Sequence, residues 1–222
     1  MKLLAFDTSS TACSVALMIN DKISDEHKIV PMQQAQLILS MINELLKKNA
    51  ISLNQLDAIC FGCGPGSFTG VRIATSVAQG LGYAMGFPLI PISSLAALAQ
   101  TVYQEVGWKK CLVAVDARIN EVYWSAYEAG ADRLVKLVGK EAISPPSDIS
   151  MTESKDWYGV GNAWDIYSDQ ICAQTIDTNS TLLPTAAAIL QLAKPKFIDQ
   201  QWVTAKDALP VYLRDEVAKK MR

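Results

Sequence analysis

The stretch from Ala58 to Gly86, AICFGCGPGSFTGVRIATSVAQGLGYAMG, does most to limit what this chain can fold into. It opens on a short apolar run, Ala58-Ile59-Cys60-Phe61, that reads as a buried strand. Gly62, Gly64, Pro65 and Gly66 then turn the chain, and a helix is expected from near Gly70. Ser67 or Thr69 is placed to cap it, since either hydroxyl can accept from an orphan backbone N–H. Between Gly70 and Gly86 the only charged residue is Arg72. Small residues recur at every fourth position (Gly70, Ala74, Ala78, Gly82, Gly86), and Val71, Ile73, Val77, Leu81 and Met85 lie on the other side. A soluble helix that is apolar nearly all round is buried on more than one side. Interior glycines cost about 1 kcal/mol each against alanine, a loss that close packing against another helix offsets. Two readings follow: the central helix of a large domain, or a helix shared between this chain's core and a partner subunit.

The glycine turn itself matches neither common nucleotide motif. No Gly-Lys-Ser/Thr ends it, so it is not a P-loop, and Gly62-x-Gly64-x-x-Ser67 lacks the third glycine of the dinucleotide fingerprint. A tight strand-to-helix turn formed by Gly64, Pro65, Gly66 and Ser67 is the favoured reading, with anion binding at the helix N-terminus as the alternative.

The same surplus of apolar helix surface occurs once more. A helix is expected from about Met32 to Lys48, and its apolar residues, Leu37, Ile38, Leu39, Met41, Ile42, Leu45 and Leu46, span an arc of about 200°, wider than one core-facing stripe. Before it, Lys2–Asp7, Cys13–Ile19 and Lys22–Ile29 read as three strands, with the hydroxyl-rich turn Thr8-Ser9-Ser10-Thr11 after the first. After the glycine-turn helix come a strand, 88–92, and a helix capped by Ser93-Ser94 that runs to about Val106. Gly107 to Lys110 is a plausible boundary, dividing the chain into residues 1–107 and 108–222.

Past that boundary the opening returns. Leu112-Val113-Ala114-Val115-Asp116 repeats Leu3-Leu4-Ala5-Phe6-Asp7, and a polar turn and strands at 122–127 and 134–138 follow. The match in order, spacing and chemistry predicts two related α/β lobes facing one another. Beyond it the second lobe is thinner: a loop or short helix at 151–156, a strand near 157–160, a helix at 185–193 and a basic tail, Lys219-Lys220-Met221-Arg222.

Few residues offer chemistry. Asp7 and Asp116 each end a strand beside a polar turn, where an acid can hold Mg²⁺ or water near a phosphate or simply close the turn. Asp7, Thr8, Ser9 and Asp116 are the candidate nucleotide contacts. The one histidine, His27, lies between Glu26 and Lys28 and reads as solvated, which removes histidine metal sites and weakens any peptidase reading. Cys60-x-x-Cys63 has redox-motif spacing, but Cys60 sits in an apolar run and no second pair completes a zinc site. The net charge of −2 argues against direct nucleic-acid binding by this chain alone. No catalytic residue and no metal ligand is assigned. With no signal-peptide pattern and no uninterrupted apolar run of membrane-spanning length, a cytoplasmic chain is expected.

FGCGPGSFTGVRIATSVAQGLG resembles the GxGPGSFTGxR signature of the TsaB (YeaZ) family, and LLAFDTSSTACSVAL resembles that family's opening. PISSLAALA at 91–99, VDARINEVY at 115–123 and PVYLR at 210–214 are similar to its later motifs, so the likeness runs from end to end. Gln34 and Cys63 depart from the residues usual there. The resemblance implies an actin/Hsp70-like ATPase fold of two duplicated ribonuclease-H-like lobes. It implies a non-catalytic partner in threonylcarbamoyl modification of the adenosine beside the anticodon, in tRNAs reading codons that begin with A. The partners implied are a TsaD-like catalytic subunit and a TsaE-like ATPase, with ATP and metal held there, tRNA reached only through the complex, and self-pairing when alone. Pairing is expected through the two over-apolar helices, at Leu39, Ile42, Leu46, Gly70, Ala74, Ala78, Leu81, Gly82 and Met85, so that a charge at Ala78 should block it. The competing class is a stand-alone small-molecule kinase or ATPase using Asp7 and Asp116.

Overall fold

The computed structural model describes residues 1–149 and 156–214. The expected loop or helix at 151–156 falls, but for Asp156, outside the described residues, as does the basic tail. Two five-stranded mixed sheets form the frame. The first contains β1 (Lys2–Asp7), β2 (Ala12–Ile19), β3 (Lys22–Ile29), β4 (Ala58–Gly62) and β5 (Leu89–Ile92), in the order β3-β2-β1-β4-β5. The second contains β6 (Lys110–Arg118), β7 (Glu121–Ala129), β8 (Val135–Ser144), β9 (Tyr158–Val160) and β10 (Thr178–Asn179), in the order β10-β9-β6-β7-β8. Numbered within each half, these are the same order. In both, the first strand pairs antiparallel with the second and parallel with the fourth. The repeat read from the two Leu-x-Ala-x-Asp strands is therefore a duplication of topology, and the fold is the actin/Hsp70-like arrangement of two ribonuclease-H-like lobes.

Among the described residues five helices clothe the sheets: α1 (Gln34–Lys48), α2 (Phe68–Met85), α3 (Ser94–Val106), α4 (Ala163–Ile166) and α5 (Ala186–Ile198). α1 and α2 cover the outer face of the first sheet, where Ile38, Met41, Leu45, Ala74 and Ala78 bury against Leu4, Phe6, Val15 and Ile59. The inner face is covered by α5, through Ala186, Ile189, Leu190 and Ala193. α3 packs on the inner face of the second sheet, with Leu95, Leu98 and Val102 against Cys111, Val113 and Tyr127. The lobes thus exchange helices: α5 follows the second sheet in sequence yet packs on the first. Among the described residues the outer face of the second sheet is covered by α4, the indoles of Trp157 and Trp164, and Ile149, with Tyr167, Ile171 and Ala173 packed against them.

α2 begins two residues earlier than expected, with Ser67 Oγ accepting from the Gly70 N–H at 3.4 Å. Its small-residue stripe faces inward. A Cβ on Gly70 would lie 1.9 Å from the Thr8 carbonyl oxygen, and one on Gly82 would lie 2.8 Å from Leu89. The Thr8 hydroxyl donates to the Gly70 carbonyl at 2.6 Å, pinning the helix to the first strand's turn. β8 runs on to Ser144, past the expected end at 138, because Gly139 adopts a positive φ (85°) that carries the strand through an irregularity.

Two glycines of α2 should respond in opposite ways. Gly70→Ala forces Cβ into backbone and should cost about 1–3 kcal/mol of overpacking or more. Gly80, whose added Cβ meets nothing within 4 Å, should gain about 0.5–1 kcal/mol as alanine. Urea denaturation of the two variants checks both.

Candidate functional site

Asp7 does not face an open cleft. Its side chain is 1% exposed, under the junction of the lobes. One carboxylate oxygen accepts the Ser9 N–H and the Ser9 hydroxyl, each at 2.8 Å, and the other accepts the Ser94 hydroxyl at 3.3 Å. The oxygen facing Ser94 occupies the space where a Cβ on Gly62 would stand, 1.8 Å away. Gly62 is needed to admit the carboxylate. Burial pushes the Asp7 carboxyl up from 3.8 to about 6, against the hydrogen bonds from Ser9 and Ser94 that draw it down. Beside it, Glu141 of β8 accepts the Tyr127 hydroxyl at 2.5 Å and the Ser93 hydroxyl, and Ser93 also caps α3 by accepting from the Leu95 and Ala96 N–H groups at 3.2 Å. Tyr127 and Glu141 were not singled out by sequence reasoning, and Ser93 and Ser94 only as a helix cap. The early end assigned to β8 hid Glu141, and only the cap at Ser93-Ser94 was visible.

Asp116 closes its own turn. Its carboxylate accepts the Arg118 N–H at 2.9 Å and the Tyr167 hydroxyl at 2.8 Å, and it faces the Arg118 guanidinium at 3.5 Å. No hydrogen bond or ion pair among the described residues joins it to Asp7, Thr8 or Ser9. The two acids matched by the repeat are thus bound separately, Asp7 by Ser9 and Ser94 and Asp116 by Arg118 and Tyr167. Gln34 donates to the Ser10 carbonyl at 2.9 Å and ties α1 to the same turn. Cys60 and Cys63 are buried, and burial pushes the Cys63 thiol up to about 12 and that of Cys60 higher still, which leaves neither as a thiolate near neutral pH. His27 lies exposed on β3. Among the described residues no three His, Cys, Asp or Glu side chains converge as a metal site.

The glycine turn is stitched from three sides. Ser67 donates its N–H to the Ser9 carbonyl at 2.8 Å, Cys63 to Ile92 at 2.9 Å, and Val211 of the C-terminal segment donates to the Cys63 carbonyl at 2.8 Å. That segment runs along α2, where Gln79 donates to the Ala208 carbonyl at 2.8 Å. It then reaches the second lobe, where Arg214 binds the Ala117 and Arg118 carbonyls and the Glu121 carboxylate.

An open apolar feature lies on the outward side of α1 and α2. A groove of about 450 Å³ lies between them, lined by residues that include Ala35, Leu39, Phe68, Arg72, Ile73 and Ser76. Leu39 is 56% exposed and Phe68 54% exposed; Tyr83, further along the same side of α2, is 86% exposed. This changes the membership of the expected pairing surface. Gly70, Ala74, Ala78, Gly82, Ile42 and Leu46 are buried in this chain's own core. Leu39, Leu81 and Met85 remain at least partly exposed. A charge at the fully buried Ala78 would disrupt the fold, so the block expected there does not isolate pairing. The outward face has its own small positions, Ser76, Gly80 and Ala84, spaced by four.

The fold and this site define a class: a duplicated ribonuclease-H-like chain whose two strand-end acids are hydrogen-bonded within the chain and whose first lobe carries an apolar groove between two helices. The family described as "TsaD: tRNA N6-adenosine threonylcarbamoyltransferase" matches residues 28–220. The chain is 35% identical to the tRNA threonylcarbamoyladenosine biosynthesis protein TsaB of Haemophilus influenzae, over 99% of this chain and 96% of that one. Against TsaB of Escherichia coli it is again 35% identical, covering 99% and 97%. The solved structure of YeaZ from Pseudomonas aeruginosa superposes with a TM-score of 0.92 at 40% identity, covering 96% of this chain and 99% of that one. The chain belongs to the TsaB (YeaZ) family.

Asp7 makes a pH prediction. A carboxyl whose folded-state value is raised favours the folded chain fully below about pH 4, and that contribution is lost as pH rises through about 6. The displacement corresponds to about 3 kcal/mol. Asp7→Asn keeps an acceptor for Ser9 and cannot ionise. Its unfolding free energy should therefore lack the gain that the parent chain shows on going from pH 7.5 to pH 5.

Proposed function

We propose that this chain is a non-catalytic partner subunit in threonylcarbamoyl modification of tRNA, at the adenosine next to the anticodon in tRNAs reading A-starting codons. The observation that carries the reading is the outward face of α1 and α2, an apolar groove with Leu39 and Phe68 exposed beside it, on a chain whose inter-lobe acids are internally satisfied. Exposed contiguous apolar surface marks a place where another macromolecule docks. The relatives in Haemophilus influenzae and Escherichia coli, both tRNA threonylcarbamoyladenosine biosynthesis proteins, support the pathway.

On this reading the groove receives a TsaD-like catalytic subunit and a TsaE-like ATPase joins the assembly. ATP and metal are held in those subunits, and this chain carries none of its own. Its role is to bind and activate the catalytic paralogue, with tRNA reached through the complex. Alone, the chain pairs with itself through the same face, and it works in the cytoplasm. No helix among the described residues is long and apolar enough to cross a membrane. An independent ATPase would need an acid free to hold a metal–phosphate group, whereas Asp7 accepts from Ser9 and Ser94 and Asp116 from Arg118 and Tyr167.

The test is threonylcarbamoylation of tRNA by purified TsaD- and TsaE-like subunits with this chain added or omitted. Modification should depend on the chain, and the chain alone should neither turn over ATP nor modify tRNA. Modification that proceeds equally without it would contradict the proposal, as would ATP turnover by the chain alone that is lost in Asp7→Ala.

A substitution on the outward face separates docking from folding. Gly80→Glu should leave circular dichroism intact and should not lower the unfolding midpoint, since the position is open and glutamate favours the helix over glycine. It should weaken binding of the catalytic subunit by about 100-fold or more, through the cost of an unpaired charge in an apolar contact. Unchanged affinity by titration calorimetry would remove α2 from the interface.

A further inference from the structure

We propose that Arg72 is a prebuilt receptor for a carboxylate carried by the apolar helix that docks between α1 and α2. The inference rests on the docking reading above and adds the chemistry of the docked partner. Arg72 is the only charged residue of α2 and lines the groove at the end marked by Phe68. Its guanidinium carbon lies 3.3 Å from the centroid of the Phe68 ring and 5.5 Å from that of Tyr212. Its Nε donates to the Tyr212 hydroxyl at 2.7 Å.

Those contacts leave the two terminal nitrogens as a fork. No carboxylate among the described residues forms an ion pair with Arg72, whereas Arg214, two residues beyond Tyr212, is paired with Glu121. A stacked guanidinium with Nε already bound has lost most of its rotamer freedom before any partner arrives, so docking costs it less entropy. Arg beside aromatic rings, at the edge of an apolar contact, is also the residue type that dominates binding energies at interfaces. A planar fork with two open donors matches a carboxylate in bidentate geometry.

The occupant is therefore an apolar helix of the catalytic relative with an acidic side chain at the end that meets Phe68 and Arg72. A second copy of this chain fits less well. A two-fold pair presents the same two helices to each other. Their sequences contain one acid, Glu44, five residues from Leu39 and so displaced around α1 from the groove-lining positions.

The test compares Arg72→Met, Arg72→Lys, Arg72→Glu and Tyr212→Phe with the parent chain, measuring affinity for the TsaD-like subunit between 50 and 500 mM NaCl, all on the order of the ranges where screening acts. Arg72→Met should weaken binding about 10-fold and flatten its salt dependence, and Arg72→Glu should weaken it about 100-fold. Arg72→Lys, which keeps charge without the fork, should fall between the parent and Arg72→Met. Tyr212→Phe should weaken binding several-fold through lost orientation. All four should keep the parent's circular dichroism.

Parent-like affinity and salt dependence in Arg72→Met would overturn the anchor and leave docking standing. Absence of binding by the parent chain would overturn both. Variants that alter only self-association, measured by sedimentation, would make the second copy the occupant and overturn the assignment. The same holds if Asp215→Asn with Glu216→Gln abolishes the effect of Arg72→Met, since the carboxylate would then belong to this chain.

Discussion

The contact between α2 and the first sheet positions everything else. Gly70 brings the helix backbone against the Thr8 carbonyl, and the Thr8 hydroxyl returns a hydrogen bond to the Gly70 carbonyl. Ala74 and Ala78, both fully buried, and Gly82, against Leu89, continue the approach along the helix. With the small residues turned inward, and Val71 buried beside them, Phe68, Tyr83 and Met85 of α2 are left exposed. A helix this apolar cannot hide all of its surface against one sheet. The outward groove is thus a consequence of how closely the inward side packs.

The same approach explains why the Asp7 carboxylate is buried. Drawing α2 and the glycine turn down onto the first strand's turn places Gly62 against Asp7 and Ser94 above it, and the carboxylate is buried with its oxygens satisfied. Burial of a charge is tolerated only with such partners. In the second lobe Asp116 meets Arg118 and Tyr167. The duplication preserved the positions of the acids while the surroundings gave each its own set of hydrogen-bond donors. The C-terminal segment then binds α2 through Gln79 and Arg72, and the β6–β7 turn through Arg214, so one strand of chain touches the docking helix and the second lobe alike.

Much of this architecture could be read in the sequence. Nearly every strand and helix of the first half was expected within two or three residues, because hydrophobic runs there are bounded by glycine, proline or capping hydroxyls. The duplication was legible because the two acid-terminated strands share spacing as well as composition. The facing of α2 was harder to see. Both 70-74-78-82 and 76-80-84 are small-residue rows, and periodicity alone does not say which meets the sheet. The exchange of α5 onto the first sheet and the clasp of Tyr212 on Arg72 were also invisible, since each joins residues far apart in the chain; Arg72 and Tyr212 are 140 residues apart. Glu141 was missed because Gly139 interrupts the alternation that marks a strand.

The claim at the centre of this account is that the outward side of α1 and α2 is the partner surface. Hydroxyl-radical footprinting of the chain, free and bound to the TsaD-like subunit, reads that surface side chain by side chain. The account predicts strong protection of Leu39, Phe68 and Tyr83, with Ile119 and Ile166 of the second lobe reacting as in the free chain. Protection confined to the second lobe, with Leu39, Phe68 and Tyr83 still reactive in the complex, would contradict it.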